Sequence, residues 1–112
     1  MLLVGCSDED AKVRTPKNPK EAASNLDQAF ASARPEIRES VATASEALRR
    51  GEYEKAVVNL RVLRTSQELT PDQGLAVYNS GVALEMQLIR RIEAGDPNAR
   101  RAYDLLKAMK RD

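Results

Sequence analysis

Three dipeptides punctuate this chain: Asn18-Pro19, Thr70-Pro71 and Asp96-Pro97. Each sets a side-chain acceptor directly before a proline. Such an acceptor can satisfy the free N–H groups of a helix's first turn, and proline is pre-shaped for the first helical position. Glu21 and Gln73 follow at N3, as in a capping box. Gly51 and Gly95 offer left-handed stops, and Pro35 pushes Arg34 out of helical geometry. These signals cut the chain after residue 17 into five helical segments joined by short connections. No segment alternates apolar and polar residues convincingly, and no Asn-Gly or Asp-Gly hairpin turn occurs. The expected fold is all-α: five helices in antiparallel hairpins forming a small bundle.

The apolar spacing fills in each segment. The first helix starts at Asn18 with Ala22, Leu26, Ala29, Phe30 and Ala33 on its stripe, and it breaks near Arg34. The second runs from Pro35 to Arg50 with Ile37, Val41, Ala44 and Leu48. The third covers about residues 52–66. Its stripe is Tyr53, Ala56, Leu60 and Leu63, while Val58 and Val62 on the other side call for a second neighbour. The fourth, about residues 71–94, is the longest. Leu75, Tyr78, Val82, Met86, Ile89 and Ile92 form one stripe, and Val77, Leu84 and Leu88 form a second beside it. This breadth places the helix at the centre of the core. Its narrow polar arc holds Asn79, Ser80, Gln87, Arg90 and Arg91, with Ala76 and Ala83 between them. The fifth helix carries Ala99, Ala102, Tyr103, Leu106 and Met109.

Composition excludes several functions. Histidine and tryptophan are absent and there is one cysteine, so neither a Ser/His or Cys/His pair nor an internal disulfide can form. No Gly-rich phosphate loop appears. Carboxylate pairs such as Glu52 and Glu54 sit among basic residues, as solvated helix faces do. No catalysis, cofactor or metal is expected. Net charge is +1, which provides no field for nucleic acid. Residues 90–112 hold seven basic and four acidic side chains, a mildly basic solvated tail. No apolar run reaches the ~20 residues of a membrane-spanning helix.

Two stretches echo one another: GEYEKAVVNLRVL from Gly51 and GDPNARRAYDLL from Gly95. With one residue deleted, Gly51 superposes on Gly95, Ala56 on Ala99, Leu60 on Tyr103 and Leu63 on Leu106. The chain thus reads as two helix–turn–helix units, 35–66 and 71–110, with the first helix as a packing cap. ALRRGEYEKAVVNLRVL resembles the turn and second helix of a tetratricopeptide (TPR) repeat, with Ala47, Gly51, Tyr53 and Ala56 in that family's small, turn, aromatic and close-approach positions. The glycines lie 44 residues apart, against about 34 in a regular array. The resemblance is therefore TPR-like, beside the alternative of an ordinary bundle with glycine turns. It implies a protein-binding module with a groove lined by the first helix of each unit. Here that lining is Asn79, Ala83, Gln87 and Arg90, unless this arc simply faces water.

Near the N-terminus, LVGC resembles the lipobox of bacterial lipoproteins. In that family the chain is cut before the cysteine, whose thiol carries a diacylglyceryl group and whose new amine is acylated. Cys6 is then the lipidation site, and more than one acyl chain makes the anchoring stable. Ser7 matches the sorting position that directs such proteins to the outer membrane. Residues 7–17, polar and without periodicity, read as a flexible tether. The division expected is 1–5 as the remnant of a signal peptide, 6–17 as a lipid-anchored tether and 18–112 as the helical domain. Only five residues precede Cys6, without a basic region or a full apolar stretch, so this reading requires more of the signal peptide upstream of Met1. It implies a cell-envelope protein on the outer membrane facing the periplasm, with a membrane anchor and a protein partner but no nucleic acid. The alternative is a cytosolic helical adaptor or structural subunit with no anchor.

Overall fold

The computed structural model describes residues 15–65 and 69–111. Cys6, most of the expected tether and Ser66 lie outside them. Asn18 opens α1 (Pro19–Ala29), its Oδ1 accepting from Glu21 N at 2.9 Å. The returning bond is displaced by one residue from the capping box: Lys17 N–H donates to Glu21 Oε1 at 2.9 Å. Pro16 is already buried, so the end of the expected tether belongs to the folded body. α1 also stops earlier than its apolar spacing suggests. Phe30 turns into the core and its N–H reaches Leu26 O, after which Ala33 N–H closes a turn onto Phe30 O at 3.0 Å. Arg34 is extended at ψ 152°, as a residue before proline must be.

α2 (Pro35–Arg50) and α4 (Pro71–Glu93) end in the same way. At Gly51, φ is 71° and Glu52 N–H donates back to Ala47 O at 3.0 Å. At Gly95, φ is 92°, Gly95 N–H donates to Ile92 O at 2.9 Å and Asp96 N–H to Arg91 O at 3.0 Å. Both are Schellman-type stops, which need the left-handed residue that glycine tolerates. The echo between the two sequence stretches is thus also an echo of turn geometry. The Tyr53 ring lies against the first turn, its hydroxyl 3.6 Å from where a Cβ on Gly51 would stand. α4 begins with a full capping box, Gln73 N–H to Thr70 Oγ1 at 3.1 Å and Thr70 N–H to Gln73 Oε1 at 3.0 Å. α5 (Pro97–Arg111) begins where Asp96 Oδ1 accepts from Asn98 N at 2.9 Å.

The described residues form an all-helical bundle of five helices, with α3 spanning Tyr53–Thr65. Packing follows a ring: α1 on α2, α2 on α3, α3 on α5, α5 on α4, and α4 back on α1, with α3 and α4 touching across it. The core is built from every helix, with Leu26, Phe30, Leu60, Leu63, Leu84 and Leu106 among its fully buried side chains. The echo positions Ala56 and Ala99 are both fully buried, as are Leu63 and Leu106. Alanines at such sites let helix backbones approach closely.

Two expectations are corrected. Val58 and Val62 on α3 are 49% and 46% exposed, and Val57 takes the buried place beside the main stripe. α4 is not wrapped on all sides either. Val77, Leu84 and Leu88 are buried as expected, but Tyr78 is 68% and Met86 54% exposed, and Leu75 and Ile89 are also exposed. The face turned inward instead carries Ala76, Ser80 and Ala83. A strip of small side chains lets α1 close onto α4, and the large apolar residues opposite are left at the surface.

Candidate functional site

The arc assigned to a binding groove is the flank of α4 against which α1 packs. The two helices run antiparallel. At one end Gln73 Nε2 donates to Ala29 O at 3.4 Å. At the other, Gln87 shares a recess of about 330 Å³ with Pro19, Lys20, Leu48, Arg49 and Tyr53. Ala83 lies between these ends and is only 4% exposed. It is therefore withdrawn from the set a partner could touch. Asn79 is half-buried on the rim. Arg90 is exposed, and its Nη2 donates to Gln87 Oε1 at 3.0 Å. Asn79, Gln87 and Arg90 stay on one side of α4 but do not line a continuous trough. In the repeat resemblance the groove lies between the first helices of successive units, here α2 and α4. In this bundle α1, the packing cap, lies against both of them.

What remains open between α1 and α4 is a cleft of about 510 Å³ near the start of α4. Asn25, Gln28 and Ser32 line one wall and Asp72, Gln73 and Asn79 the other. These are amide and hydroxyl groups with one carboxylate, suited to hydrogen-bonding an extended polar chain. Asn79 is the only sequence-proposed residue on this cleft.

A polar cluster not foreseen from the sequence locks α1 to α2. Ser45 is fully buried, and its hydroxyl lies 2.7 Å from Asp27 Oδ1, to which it donates, and 3.3 Å from Ala23 O. Arg49 Nη2 reaches Asp27 Oδ2 at 2.7 Å. Ser80, also fully buried, donates to Ala76 O at 2.8 Å within α4. Both hydroxyls are satisfied, so each serves packing. On the other side, Glu85 pairs with Lys110, Arg101 with Glu54 at 3.7 Å, and Arg64 Nη2 donates to Met109 O at 3.1 Å. These contacts tie α5 to α4 and α3.

No protein-family profile, curated protein or solved structure matches this chain. Among the described residues, no helix is long and apolar enough to cross a membrane.

Proposed function

We propose that this chain is a lipid-anchored protein of the bacterial cell envelope, held by Cys6, whose TPR-like helical domain is a non-catalytic protein-interaction or structural module. The observation that carries the reading is the LVGCS sequence followed by a polar segment. The apolar core of the described residues is assembled from residues 22–109, and Cys6 lies ahead of them in the sequence, within the motif. A lone cysteine at the end of a small-residue motif and directly before a polar segment suits modification. Ser7 favours the outer membrane, with the domain facing the periplasm. The lack of histidine and of a phosphate loop supports a binding or scaffolding role over catalysis. Asn79, Gln87 and Arg90 are the proposed partner-facing residues, with the adjoining cleft between α1 and α4 extending that surface.

The test is metabolic labelling with an alkyne fatty acid in bacterial cells carrying the gene with its native upstream frame. The labelled protein should fractionate with membranes, and Cys6→Ser should abolish the label. An unlabelled soluble chain would refute the reading and favour the cytosolic adaptor.

A further inference from the structure

The outermost line of α4 is apolar. Leu75, Tyr78, Val82, Met86 and Ile89 follow one another at intervals of three, four, four and three residues, and all but the half-buried Val82 are exposed. At about 1.5 Å per residue the line is about 21 Å long. Single exposed apolar residues are ordinary, but a continuous apolar line on the longest helix marks an interaction surface.

Its spacing reads the same in both directions from Val82. An antiparallel copy, related by a two-fold axis at Val82, sets Leu75 level with Ile89 of the second copy and Tyr78 level with its Met86. Charge agrees with this pairing. Asp72 and Arg90 are separated by about five helical turns, so they share one flank of α4 at opposite ends. In an antiparallel two-fold pair like flanks meet. Asp72 then falls within a turn of Arg90 of the second copy, and the pair forms twice. Among the described residues, the Arg90 side chain bonds the neutral Gln87, and neither Arg90 nor Asp72 has an ion pair. Beyond the opposite edge of the stripe lie Gly74 and Gly81, where an added Cβ would meet nothing within 4 Å. Bare backbone there lets a second helix come close.

We infer that the outer face of α4 is a self-association surface, on which a second copy of this chain docks antiparallel about Val82. Leu75, Val82 and Ile89 are seven residues apart and form the seam, as in a coiled coil. The inference does not rest on the lipid anchor. The contact is small, so the dissociation constant falls in the range of about 1–100 μM.

The test is sedimentation equilibrium of the full chain carrying Cys6→Ser, to exclude disulfide exchange. The dimer should appear across the micromolar range. Val82→Asp sets two carboxylates on the axis and should raise the dissociation constant about 100-fold or more with an unchanged circular dichroism spectrum. Asp72→Arg should weaken association, and adding Arg90→Asp should restore it. Val82→Cys should cross-link readily under oxidation, and Val58→Cys, on α3, should not. A chain still monomeric at about 1 mM overturns the inference. So does an undiminished dimer of Val82→Asp, a charge swap that fails to restore, or Val58→Cys cross-linking as fast as Val82→Cys.

Discussion

Leu84 and Met86 stand two residues apart on α4, have similar volumes, and face opposite ways. Leu84 is fully buried, while Met86 is 54% exposed. Truncating each to alanine measures which side of this helix faces the core. Leu84→Ala removes buried methyl groups from the core and leaves a cavity. Leu→Ala at fully buried sites costs about 3–5 kcal/mol from lost transfer energy plus incomplete collapse. A domain of this size holds roughly 5–15 kcal/mol in total, so the loss is a large share. At about 4–8 °C per kcal/mol, the melting temperature should fall by at least ~12 °C. Met86→Ala removes atoms already in water and should cost no more than about 0.5 kcal/mol in the monomer. Urea unfolding followed by far-ultraviolet circular dichroism separates the two. Protein well below about 1 μM, in a long-path cell, keeps self-association from adding to apparent stability. Equal losses for both variants, or a loss under about 1 kcal/mol for Leu84→Ala, would refute the assigned orientation of α4.

Other expectations follow from single contacts. Gly51→Ala forces a side chain into φ 71° and should cost about 1–2 kcal/mol in urea unfolding. Thr70→Ala removes the hydroxyl half of the α4 capping box and should cost about 1 kcal/mol, with Thr70→Ser close to wild type. Ser45→Val trades a buried donor for extra volume against α1 and leaves Ala23 O without that contact. It should cost about 1–3 kcal/mol, whereas Arg49→Ala, whose pair with Asp27 is over a third exposed, should cost less than about 1 kcal/mol. Arg90→Glu should weaken capture of a protein partner at the proposed partner-facing surface, and unchanged capture would remove Arg90 from it.

Helix beginnings and ends were the most legible part of this sequence, because capping is local. Asn18, Thr70 and Asp96 each act within three residues of themselves, and the stops at Gly51 and Gly95 need only a left-handed backbone. The buried stripes of α2 and α5 were equally plain, since each helix has one apolar face. α4 was different. Apolar residues lie on two sides of it, and periodicity alone ranks large side chains above small ones. The choice was made by Ala76, Ser80 and Ala83, whose small size lets α1 close in, and that is a property of the pair of helices. Ala83, on the polar arc by its spacing, is buried for the same reason. The Ser45–Asp27–Arg49 cluster left no local trace because its members come from two helices, with Asp27 at least 18 residues from either partner. The early end of α1 follows from Phe30 being drawn into a core that its own segment does not reveal.

The central claim, an acylated Cys6, is tested most directly by the mass of the N-terminal peptide of protein purified from detergent-solubilised membranes of cells bearing the native upstream frame. The account predicts a peptide beginning at Cys6, with the mass of a diacylglyceryl group on sulfur and an acyl chain on the amine. A peptide running through Gly5 into an unmodified Cys6 would contradict it.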